Sequence, residues 1–144
     1  MAILDAFLQL SNAQAVTTTA ASTNVIDTLS ELGDALEKGV WLRVAVQTAF
    51  VIPDAPTNDI TSVALQSADV AAFTGTSPTT HVASAAFDEA VAIAGKELLV
   101  IKLPKNVKRF IRLYYTMGST ATAGNIDAHI VTDVDSLITD VEPA

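Results

Sequence analysis

The fold class this sequence predicts is all-β, an antiparallel sandwich or barrel, and three observations predict it. Apolar and polar residues alternate with a period of two through one stretch after another. Clusters of Gly, Pro, Asn, Asp and Ser separate those stretches. No long helical period lies between them, which argues against strands joined by crossover helices.

Taken in chain order, LDAFLQLS at 4–11 and NVIDT at 24–28 are the first two strand candidates. VWLRVAVQTAF, residues 40–50, puts Val40, Leu42, Val44, Val46, Thr48 and Phe50 on one face. Trp41, Arg43, Ala45, Gln47 and Ala49 fall on the other, and Pro53 ends the run. TSVALQSAD, 61–69, sets Val63 and Leu65 against Ala64 and Gln66, and THVAS follows at 80–84. KELLVIKLP, 96–104, is a near-continuous apolar strand. In KRFIRLYYTM, 108–117, Phe110, Arg112, Tyr114 and Thr116 alternate with Ile111, Leu113, Tyr115 and Met117. NIDAHIVTD, 125–133, turns Ile126, Ala128 and Ile130 away from Asp127, His129 and Val131. Between these runs lie GDALEKG, IPDAPTND, TGTSPTT, LPKNVK and GSTATAG, all turn chemistry. Two segments are less regular. AAFDEAVAIAGKEL, 85–98, has spacing for two helical turns ended by Gly95, but a loop with a short strand is the preferred reading. ELGDALEKG, 31–39, fits one helical turn or a charged connection. The closing DVEPA reads as a frayed tail.

At 144 residues the chain fits one domain, 1–144, able to bury roughly 68–70% of its unfolded surface. Half of it is hydrophobic but only 6% aromatic, so the expected core is thin and aliphatic. Trp41, Phe50, Phe110, Tyr114 and Tyr115 are expected to give that core weight. The formal charge of −8 repels phosphate backbones, so no nucleic-acid partner is expected. With no cysteine there is no disulfide, zinc–thiolate site or thiol nucleophile. No run reaches the ~18 apolar residues of a membrane span, and MAILDAFLQL lacks the basic start of a signal peptide. The expectation is a protein made in the cytoplasm with no membrane partner.

Candidate chemistry is sparse. His81 and His129 are isolated in strand-like segments, outside any metal-binding spacing, and read as surface or rim residues. Phosphate loops and GxSxG elbows are absent. Asp54 and Asp59 share a loop with two prolines and no glycine, a poor calcium turn. Asp133 and Asp135 read as solvated charge. No catalytic residue, metal or cofactor is expected, and an enzyme is not. One uneven feature is positive: Lys102, Lys105, Lys108, Arg109 and Arg112 fall within eleven positions. They fit edge-strand protection or docking to an acidic partner about equally well, and nucleic acid less well. The other is NAQAVTTTAASTNV, 12–25, uncharged and small-sided. It fits a contact surface for another chain, centred on Thr17, Thr18 and Thr19, or an ordinary internal loop and strand.

Three blocks carry a family resemblance. LQLSNAQAVTTTAASTNVID, TSVALQSADVAAF and LPKNVKRFIRLYYTMGSTATAGNIDAHIVTD together resemble the small capsid cement, or decoration, proteins of tailed bacteriophages. The likeness is to the jelly-roll family first described for a Bordetella phage; the last block is the most specific, and 70–95 departs most. It implies an antiparallel jelly-roll β-sandwich of about eight strands, with at most a short helical turn. It also implies a virion protein on the outer capsid surface, bound to the major capsid protein and to itself as a homodimer or homotrimer. Such a protein would stiffen the shell against packaged DNA. The expected capsid or subunit interface takes in Thr17, Thr18, Thr19, Lys105, Lys108 and Arg109. A carbohydrate-binding jelly roll and a phage fibre or tail assembly protein are the alternatives.

Overall fold

The structure is a computed structural model of the chain, and it describes residues 8–32, 39–53, 60–73 and 78–131. Nine strands run in order: β1 (Gln9–Ala15), β2 (Ala20–Ala21), β3 (Ile26–Asp27), β4 (Trp41–Val51), β5 (Ile60–Ala68), β6 (Thr79–Ala83), β7 (Glu97–Lys102), β8 (Phe110–Met117) and β9 (Ala123–Val131). A π-type turn, Thr28–Leu32, and a 3-10 turn, Glu89–Val91, are the helical elements among the described residues.

The strands form two antiparallel sheets. One has the order β1-β9-β4-β7. The other runs β2-β8-β5-β6, with β3 also on β8. β2 and β3 lie end to end along one edge of β8, Ala20 and Ala21 against Tyr115 and Tyr114, Ile26 and Asp27 against Ile111 and Phe110. Ser22 carries the ladder across the gap, its N–H donating to the Leu113 carbonyl at 2.8 Å and its Oγ accepting the Leu113 N–H at 3.0 Å. Counted as one interrupted strand, β2 and β3 give eight positions that pair first with last, second with seventh, third with sixth and fourth with fifth. That nesting is a jelly roll.

The period-two reading places the core correctly. Leu42, Val44, Val63, Leu65, Ile111, Leu113, Tyr115, Ile126, Ala128 and Ile130 are buried between the sheets. Bulges explain the departures. A register shift between Val44 and Ala45 inserts an extra residue in β7, so Leu98 and Leu99 both face inward and Glu97 turns out to meet Arg43. Another shift between Val46 and Thr48 throws Thr48 to solvent although its phase matches the core.

Three expectations are corrected. Trp41 is 36% exposed on the outer face rather than in the core, because it shares the phase of Arg43. Phe110 and Tyr114 are likewise half-buried on an outer face, leaving Phe50 and Tyr115 as the buried aromatics of the five. His129 is buried, not on the rim. Of the expected strand 4–11, residues 4–7 lie outside the described residues, and from Gln9 β1 runs on to Ala15. In 85–98 the preferred reading holds: Phe87 bridges Ile60, one 3-10 turn follows, and Gly95 (φ +89°) turns the chain into β7. Asp54, Asp59, Asp133 and Asp135 lie outside the described residues.

Candidate binding surfaces

Each strand of the roll ends at one of two poles. Residues 16–19, 84–96 and 118–122 gather at one; 28–32, 69–73 and 103–109 gather at the other. Thr17, Thr18 and Thr19 therefore sit at the far end of β8 from Lys105, Lys108 and Arg109. From Arg109 to Met117 is roughly 26 Å at ~3.3 Å per strand residue. The residues named for a capsid or subunit interface lie on two separate surfaces.

At the threonine pole, the 16–19 crossover is strapped to the β8–β9 turn. Val16 N–H donates to Gly124 O at 3.0 Å and Ala121 N–H to Thr17 O at 2.9 Å. Thr19 Oγ1 accepts the Met117 N–H at 3.0 Å, so it extends β8. All three threonines are exposed. Thr18, Thr19, Met117, Gly118, Ser119 and Thr120 line a shallow open cavity of about 320 Å³. Val51 lies alongside, its carbonyl accepting Thr122 N–H at 2.8 Å, and Phe50 N–H bonds Ala92 O at 3.0 Å. Val51, Val91 and Ile93, all exposed, thus lie at the same pole as the threonines.

Gln14 and Asn24 have internal work. Gln14 Oε1 accepts from Ser11 Oγ and Thr23 N–H while its Nε2 donates to Ala21 O. Asn24 Nδ2 donates to Gln9 O, and its N–H to Leu10 O. These two amides lace β1, an edge of one sheet, to the β2–β3 edge of the other. Segment 12–25 thus joins the end of β1 to β2, each paired within the molecule, through an exposed threonine turn, and its amide side chains close two sheet edges against foreign strands. Sequence reasoning had no signal for this lacing, since it depends on which edges meet.

At the opposite pole the chain from β7 to β8 is anchored at both ends. Leu103 N–H donates to Val40 O at 2.8 Å, and Lys108 N–H to Ser67 Oγ at 3.1 Å. Arg109 is committed inside the molecule: its Nε and Nη2 grip the Asp27 carboxylate, at 2.9 Å for the shorter pair, raising the guanidinium pKa through that hydrogen bond and charge. Arg112 bonds Gln66 and lies 4.3 Å from the Phe73 ring centre and 5.5 Å from that of Tyr114. Lys108 Nζ is 3.8 Å from Asp69. Lys102 and Lys105 are exposed and form no ion pair among the described residues.

Both histidines are hydrogen-bonded within the molecule. His129 Nε2 lies 3.0 Å from Gln9 Nε2, so the amide donates to an unprotonated ring nitrogen. Burial lowers its pKa, with Asp127 opposing and Arg43 assisting. His81 Nε2 meets Ser67 Oγ at 2.7 Å, a pairing that no local motif marks. It has the look of a nucleophile and base, yet Ser67 is fully buried and also accepts from Lys108. The pair ties edge strand β6 to β5; burial and then Lys108 lower the imidazole pKa. No group of three His, Cys, Asp or Glu among the described residues could hold a metal ion.

What fold and surfaces define together is a jelly-roll sandwich with two contrasting poles, one hydroxylated and apolar, one basic. The sequence profile of the Bbp16 family matches residues 10–130, from within the first strand to the last, and the chain belongs to that family. It is a Bordetella phage protein family, consistent with a phage origin for this chain. No curated protein matches the chain.

Proposed function

We propose that this chain is a structural virion protein that binds the outer surface of a phage capsid and cements neighbouring major capsid proteins. One observation carries the reading: a phage family spans nearly the whole jelly roll rather than a fragment of it. The threonine pole supplies the means. Short side chains on a turn already strapped by backbone hydrogen bonds lose little freedom on docking. Repeated over a closed lattice, many weak contacts of this kind hold by avidity. The same reading places the protein on assembled virions, as a homodimer or homotrimer, with no nucleic-acid or membrane partner and no catalytic role.

Co-sedimentation with purified shells tests it. Wild-type chain is expected to pellet with them. Thr17→Lys with Thr18→Lys is expected to stay in the supernatant while its melting temperature is unchanged, since both side chains are exposed. Thr19 is left in place because its hydroxyl holds the end of β8. Full binding by the double variant would remove the threonine turn from the contact.

A further inference from the structure

We infer that the basic pole is a second docking surface whose partner is an acidic protein surface. This deepens the capsid reading and rests on it only for which protein supplies the acid. Five of the eight basic residues fall in 102–112, but the structure sorts them by availability. Arg109 is held by Asp27, and Arg112 lies against Phe73 and Gln66. Lys102, Lys105 and Lys108 remain. The first two are exposed and unpaired among the described residues, and the third faces an Asp69 whose side chain is 79% exposed, at 3.8 Å. A long, solvated pair of that kind exchanges easily for a better one.

These three cations are spread along a fixed bridge. The segment 103–109 crosses from one sheet to the other, a gap of about 10 Å. It is pinned by the Leu103 and Lys108 backbone bonds and by Thr28, whose N–H and Oγ1 both reach Arg109 O at 2.8 Å. Buried Leu103 seats it on the core. Exposed apolar side chains stand near both ends of the bridge. Trp41 is the register partner of Lys102, Val70 follows Asp69, and Leu29 bonds the Asp27 that holds Arg109. Cations interspersed with exposed aromatic and aliphatic side chains suit a protein partner. Nucleic acid fits less well, because three cations on a chain of net charge −8 offer few phosphate contacts. With the threonine turn at the other pole, such a molecule has two handles and can join two neighbours.

Trp41, the one tryptophan, is a built-in reporter beside Lys102. Its fluorescence in the intact chain is to be titrated with poly-L-glutamate, and separately with duplex DNA of equal charge. A saturable change with poly-glutamate and a much weaker one with DNA is expected. The affinity is expected to fall about tenfold or more in the Lys102→Glu, Lys105→Glu, Lys108→Glu variant, and likewise in about 1 M salt, where screening reaches only ~3 Å. The single Lys105→Glu variant, with intermediate affinity, guards against a folding defect in the triple one. No response to poly-glutamate, an equal response to DNA, or a triple variant that binds like wild type overturns the inference. A poly-glutamate response without shell binding would sink the capsid reading alone. Shell binding that ignores salt, with no poly-glutamate response, would sink this inference alone.

Discussion

Buried hydroxyls show how tightly single residues are specified. Ser11 Oγ lies 2.6 Å from Gln14 Oε1, an atom that only accepts, so its one proton goes there. Tyr115 must then donate to Ser11 across 2.7 Å, and burial drives the phenol pKa upward. Ser11→Ala strands a buried donor and is expected to cost about 1–3 kcal/mol, against about 1 kcal/mol for Tyr115→Phe; urea unfolding curves measure both. The two imidazoles give a pH signature. Both pKa values sit below the unfolded value of about 6.5, so below it the unfolded chain binds more protons. Their contribution to stability is full above about pH 6.5 and is lost as pH falls from there through the lowered folded values. Unfolding free energy is expected to drop as pH falls below about 6.5. His81→Asn with His129→Gln should flatten that slope. Alternation read Trp41 and His129 onto the outer face, yet only the tryptophan is exposed. Strand phase says which way a side chain points; it does not say that Gln9 and Arg43 flank His129 across the sheet.

At the scale of elements, strands with a strict period of two were legible, from VWLRVAVQTAF to NIDAHIVTD. Bulges were not, because each depends on a neighbour strand. In β1 the bulge puts Ala13 at φ +47°, held by its N–H to Asp127 at 2.6 Å, and no local pattern marks it. Gly124 has a clearer role. Its φ is +143°, and a Cβ there would run into the Phe50 ring. Gly124→Ala is expected to cost about 1–3 kcal/mol by overpacking, seen as a lower denaturation midpoint. Gln14→Ala removes the amide that joins β1 to Ala21 and Thr23. Light scattering is expected to show concentration-dependent self-association of that variant, because opened sheet edges recruit strands. A monodisperse variant would mean those edges are protected by something else.

For the whole molecule, alternation and turns led as far as a sandwich or barrel, and strand order had to come from pairings distant in sequence, such as β1 with β9. The candidate site was half legible: its residues were named, but only the roll places the threonines and the lysines at opposite poles. Two poles are what a bridging protein needs, and adhesion to a repeating shell is the claim on which the functional account stands. Image reconstruction of purified shells, with and without the added chain, tests it most directly. The account expects added density of jelly-roll size on the outer surface, spanning neighbouring capsid subunits, with a pole against the shell. Bare shells at saturating protein, or density confined to the interior or the tail, would contradict it.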